Sequence, residues 1–151
     1  MIRSMFACVL FSFLMYLGTG CTPLTPREEA FVALSYGDQV SEIMAAEPNE
    51  RIDLFLLAYG MRPQNAAAMW ALAEFGGEIV PEVTDRLRES NVRDTRYYID
   101  LLIAIETKKS YCVSCDDEVM SGVHDAVLRI GNDTLRSESR DKVRRFLRKQ
   151  N

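Results

Sequence analysis

Apolar residues fall along this chain in two different ways. From Met5 to Leu17 they run almost without interruption, broken by Ser12 alone. From Pro26 onward they recur every three or four positions among charged side chains. The first pattern is too short to span a bilayer, which takes about 20 residues. The second is the mark of amphipathic helices. No stretch alternates β-branched and polar residues between Asn-Gly or Asp-Gly turns, so no strand is predicted.

Helix punctuation supports the periodic reading. Thr25-Pro26-Arg27-Glu28 sets a capping Thr before a Pro at the first helical position and a Glu at the third, a combination that starts helices. A first helix is predicted from there to about Ala46, interrupted at Gly37. Asn49 to Tyr59 is predicted as a second, stopped by Gly60 with Pro63 beyond, and Gln64 to Phe75 as a third. Asp94 to Glu106 contains YYIDLLIAI, so apolar on all sides that it reads as a buried central helix. Asp116 to Ile130 carries Val119, Met120, Val123, Val127 and Ile130 on one stripe, with Gly131 as its stop. A last helix, from about Ser137 to Lys149, buries Val143, Phe146 and Leu147.

The segment ALAEFGGEIVPEVTDRLRES, Ala71 to Ser90, joins two of these helices. Gly76 is expected to hold a positive φ, which ends a helix at no steric cost in glycine. Gly77 keeps the connection tight. Pro81 falls in the first turn of the next helix, where backbone N–H groups have no intrahelical partner. Val80, Val83 and Leu87 then share one face, opposite Asp85, Arg86, Arg88 and Glu89, with Arg88 placed to pair with Asp85.

Ala-Leu-Ala-Glu-Phe-Gly, followed by Val-Pro and an amphipathic helix, resembles a HEAT-like repeat of the phycobilisome-lyase type over residues 66–90. Ala33-Leu34-Ser35-Tyr36-Gly37 and Val127-Leu128-Arg129-Ile130-Gly131 echo its helix end. Gly37 and Gly76 lie 39 residues apart, near the roughly 40-residue HEAT period. The resemblance implies an all-α fold over residues 27–151: a short HEAT-like α-solenoid of six or seven helices, the alternative being a compact helical bundle. Solenoids expose long grooves between stacked helices and bind partners there.

The continuous apolar run has its own context. Arg3 precedes it, and Gly18 and Gly20 follow it, immediately before Cys21. That is the layout of a secretory signal over residues 1–20. Leu-Gly-Thr-Gly-Cys, residues 17–21, also resembles the lipobox of bacterial lipoproteins. The family's leucine stands one place nearer the cysteine than Leu17 does, and Gly18-x-Gly20 suits ordinary secretory cleavage as well. The lipobox resemblance implies acylation of Cys21, a lipidated tether over residues 21–26, and a domain held on an envelope membrane at its periplasmic face. Thr22, where the family's inner-membrane signal has Asp, implies the outer membrane. Acyl chains anchor a soluble domain stably once two or more are present.

Charge and cysteine usage narrow the chemistry. Without residues 1–20 the chain has 22 acidic and 17 basic side chains, a net charge of −5. That balance argues against nucleic acid, whose phosphates need clustered Lys and Arg. The basic run RDKVRRFLRKQ is read as a solvated face that complements a helix dipole; a lipid-headgroup contact is the second reading. Beyond Cys8 and Cys21, the chain has Cys112 and Cys115, as Cys-Val-Ser-Cys in its longest connection. Haem attachment would require His where Asp116 stands. A zinc site would gather Cys112, Cys115 and the single histidine, His124, and still lack a fourth ligand, with Asp116 or Asp117 as nominal candidates. A structural disulfide is the expected state in an oxidising compartment. A redox dithiol is the rival, because the pair precedes a helix N-terminus; Asp116, Asp117 and Glu118 oppose it, since they disfavour a thiolate. His124 is expected beside the Val123/Val127 stripe. Trp70, Tyr97 and Tyr98 are expected to pack in the core or along a groove.

No catalytic residues, metal site or cofactor are expected. The pattern points to a membrane-tethered, non-enzymatic module that binds a protein partner in the cell envelope. The alternative is a periplasmic thiol-redox protein using Cys112 and Cys115. A chromophore-lyase activity, implied by the HEAT-like resemblance alone, sits badly with an export signal.

Overall fold

A computed structural model describes residues 23–61 and 63–148, without the side chains of 146–148. The segment predicted as a secretory signal, Cys21, Lys149 and the side chains of Phe146 and Leu147 lie outside the described residues. Within them the fold is all-α. Helix α1 spans Pro26–Val32, α2 Tyr36–Ala45, α3 Pro48–Gly60 and α4 Ala66–Leu72. A 3₁₀ turn, Ala73–Glu78, leads into α5, Val80–Glu89, and α6, Val92–Thr107. A short 3₁₀ turn, Val113–Cys115, precedes α7, Asp117–Arg129, and α8, Asp133–Arg148. No strand occurs among the described residues, and no described helix is long and apolar enough to cross a membrane.

The N-terminal capping box forms as the sequence predicts. The Thr25 N–H donates to Glu28 at 2.6 Å, and the Glu28 N–H donates to the Thr25 hydroxyl at 3.3 Å. The helix expected from there to Ala46, interrupted at Gly37, is two separate helices, which makes eight α-helices among the described residues. The break lies at residues 33–35 rather than at Gly37, which sits inside the first turn of α2. Two things hold it. The Ser35 hydroxyl caps α2 by accepting from the Asp38 N–H. Beneath the break, the fully buried Gln39 amide donates to the carbonyls of Phe31 and Leu34, both at 3.4 Å. Asn65, 1 % exposed, completes this buried polar cluster by donating to the Gln39 side-chain carbonyl at 2.9 Å. Buried amides are stable only when satisfied in this way.

The last helix also departs from expectation, starting at Asp133 rather than Ser137. The Asn132 side chain accepts from the Leu135 N–H at 3.0 Å, so an Asn cap extends the helix into a stretch with little apolar content. Helix α6 lies at the centre, packed by α4, α5, α7 and α8. Its Tyr98, Ile99, Leu101, Leu102, Ala104 and Ile105 are buried, matching its all-round apolar sequence. Val80, Val83 and Leu87 of α5 and Val119, Val123 and Val127 of α7 are buried as their spacing requires, with Ile130 just beyond α7. Helix α2 packs on α4, α4 on α6 and α6 on α8, while α5 packs on α7.

Gly76 has φ 50° and ψ −123°, in the mirror-image extended region that is open to glycine alone. The positive φ is as predicted, but the need is greater than a helix stop. A Cβ there would stand 2.5 Å from the Ser110 carbonyl oxygen. A Cβ on Gly77 would stand 2.9 Å from the Tyr111 ring. The glycine pair is the seat on which the long α6–α7 connection lands.

Candidate functional site

The α6–α7 connection carries Cys112 and Cys115, and its shape is fixed from below. The Ser110 hydroxyl donates to the Ala73 carbonyl at 2.7 Å, tying the loop to the glycine turn. Lys109 takes a positive φ of 57° to make the bend. Glu106, in the last turn of α6, is only 6 % exposed. Its carboxylate accepts from the Ser114 N–H at 2.8 Å and from the Ser114 hydroxyl at 3.1 Å. Val113, 2 % exposed, is the loop's apolar anchor. Sequence reasoning assigned no role to Glu106; it reads as the polar end of a helix until the loop folds back over it.

Cys112 and Cys115 stand at disulfide distance, their Cα atoms 5.3 Å apart, inside the usual range for such bridges. Both are exposed. Asp116 is the cap of α7, accepting from the N–H groups of Glu118 at 3.0 Å and Val119 at 3.1 Å. The Tyr111 hydroxyl also donates to it. That hydrogen bond, followed by the Val119 N–H, holds the Asp116 carboxyl below the ordinary aspartate value, while the same bond raises the Tyr111 hydroxyl. The loop is therefore a clasp held by hydrogen bonds at Ser110, Tyr111, Ser114 and Asp116 and flanked by the Glu106 and Asp116 carboxylates.

His124 is exposed on α7, among the residues that line a groove between α7 and α8. The groove has a volume of about 440 Å³. Met120, Val123, Val127 and Leu128 line it from α7, and Val143, Arg140 and Arg144 from α8. Leu128 is 49 % exposed, the highest value among the exposed large apolar side chains of the described residues.

A second, polar pocket lies where α8 meets α6. The Tyr59 hydroxyl donates to Asp100 at 3.3 Å, and Lys142 pairs with the other oxygen of the same carboxylate. Burial, then the Asp100 charge, pushes the Tyr59 hydroxyl up to about 12. Tyr97 packs edge-on against Tyr59 at 5.2 Å. Tyr97 and Tyr98 thus pack as expected, half-buried and buried. Trp70 does not: it is 40 % exposed, because α4 turns Ala68 and Leu72 inward and leaves Trp70 on the outer face. Asp85 and Arg88 pair at 2.7 Å as their spacing predicts, and Arg88 also reaches Glu118 on α7 at 2.7 Å.

In comparisons with known proteins, no family model matches this chain, and neither a curated protein nor a solved structure does.

Proposed function

We propose that the chain is a lipid-anchored envelope protein whose helical domain is a non-enzymatic binding or scaffold module, built as a short HEAT-like solenoid. The single observation that carries the binding role is the apolar groove between α7 and α8, with Leu128 exposed at its edge. The solenoid reading draws on the packing order. Helices α2, α4, α6 and α8 contact in succession as one layer, and α5 and α7 contact as part of a second. Arg86 of α5 reaches Asp53 and the Asn49 carbonyl of α3, which continues the second layer. Stacked helix pairs of this kind present a continuous surface.

The membrane anchor rests on the Leu17-Gly18-Thr19-Gly20-Cys21 sequence. Wild-type protein is expected to partition with membranes, and the Cys21→Ala variant to accumulate as unprocessed precursor. Wild type recovered as soluble mature protein without lipid mass would sink the anchor.

A thiol-redox role is the second reading, favoured by the exposure of both cysteines. Against it stand Asp116, Asp117, Glu118 and the Glu106 carboxylate beneath the loop, all of which disfavour a thiolate. A structural bridge in this setting should have a reduction potential below about −300 mV, whereas catalytic pairs lie nearer about −120 to −270 mV. Equilibration with glutathione buffers, followed by trapping of free thiols, separates the two. A readily reduced pair would favour the redox protein over the scaffold.

A further inference from the structure

We propose that the α7–α8 groove receives an amphipathic helix of a protein partner, apolar along its centre and acidic on the flank that meets Arg140 and Arg144. The proposal rests on the binding-module reading above and names the kind of partner. Three observations lead to it.

The first is position. Helix α7 packs on both α5 and α6, so the trough between that earlier pair lies under a helix. Gly122 of α7 comes so close to α5 that a Cβ there would stand 3.4 Å from the Thr84 methyl. Helices α7 and α8 also pack together and form a trough of the same kind. Among the described residues nothing lies over it. A further helix is the element that continues the pattern.

The second is shape and chemistry. Val123 and Val127, 4 % and 5 % exposed, form a recessed floor, and Leu128 stands up at the rim. An apolar floor sunk below its rim suits an inserted helix, read as anchors three, four and seven residues apart. A bilayer would instead be met by apolar side chains that project outward.

The third is charge. Arg27, Arg51, Arg86, Arg88, Arg93, Arg96 and Arg136 each pair with a carboxylate. Arg140 and Arg144 line the groove from α8 and have no hydrogen-bond or ion-pair partner among the described residues. They lie four apart on one helix, which sets their side chains about 5–6 Å apart at the base. Two carboxylates four apart on an incoming helix match that spacing. Charge pairs of this sort fix partner choice and register.

The test uses the full chain in its own cells, with a photocrosslinking amino acid in place of Leu128 and, separately, of Trp70. The Leu128 position should capture a peptide with apolar residues at helical spacing and two acidic residues four apart. The double variant Arg140→Glu, Arg144→Glu should cut that yield about tenfold or more, since reversing both charges sets like charges face to face. Lys substitutions at the partner's two acidic positions should restore the yield, which also shows that the double variant is folded. Capture of phospholipid, capture of a second copy of this chain, or a yield indifferent to the charge reversal would each overturn the proposal. If Trp70 captures a protein and Leu128 does not, the groove assignment fails and the binding-module reading stands. Silence at both positions overturns both.

Discussion

The middle of this molecule and its last helix pair are built on opposite terms. Around the glycine turn, groups are closely fitted to one another: Gly76 to the Ser110 carbonyl, Gly77 to the Tyr111 ring, Ser110 to Ala73, Glu106 to Ser114. Between α7 and α8 the fit is open, with Leu128 half out and two arginines unpaired among the described residues. A substitution in the first region should therefore cost stability, and one in the second should cost binding. Fixed shape and available surface are separate requirements, and this chain meets them in separate places.

The sharpest way to break that contrast is Gly76→Val. A positive φ alone costs a β-branched residue about 1–2 kcal/mol. Here the added Cβ also meets a backbone carbonyl at 2.5 Å, and a backbone atom cannot swing aside as a side chain does. The expected loss is at least about 3 kcal/mol in denaturant unfolding. Gly77→Ala should cost less, because its neighbour is the Tyr111 ring, which can turn. Equal costs at the two glycines would mean that close approach to Ser110 contributes nothing.

Next comes the clasp. Glu106→Ala leaves the Ser114 N–H without its carboxylate in a partly buried site, for an expected loss of about 2–3 kcal/mol. Glu106→Gln keeps an acceptor oxygen and should cost about half as much. The double variant Cys112→Ser, Cys115→Ser opens only a four-residue loop and should cost no more than about 2 kcal/mol. Finding the cysteine pair costlier than Glu106 would mean that the bridge, rather than the buried carboxylate, shapes the loop.

These residues also mark where sequence reading stops. Helices α3, α5, α6 and α7 were legible, because apolar spacing and end signals such as Gly60 and Pro81 are local. So was the positive φ of Gly76. The demand on Gly77 was not, since it comes from Tyr111, 34 positions further along the chain. Glu106 gave no signal for the same reason. The break falls at residues 33–35, ahead of Gly37, the residue that is conspicuous in the sequence. The buried Gln39–Asn65 cluster that satisfies the freed carbonyls is assembled only by tertiary packing. Nor does α8 announce its start: Asn132 supplies a cap without an apolar stripe to accompany it.

The smallest effect on stability is expected at the far end, from Arg140→Glu with Arg144→Glu. Both side chains are exposed, and neither makes a hydrogen bond or ion pair among the described residues. Exposed substitutions without such partners stay within about 0.5 kcal/mol. The buried residues that dock α8, Ser139 among them, are untouched, as is the Lys142–Asp100 pair. Thermal unfolding should therefore barely move. A loss above about 1.5 kcal/mol would place these arginines in the fold's own framework and remove the contrast between the two ends. An unchanged melting curve together with a lost crosslink at Leu128 would separate the two roles in one variant: this end of the molecule would hold its shape while its surface no longer found a partner.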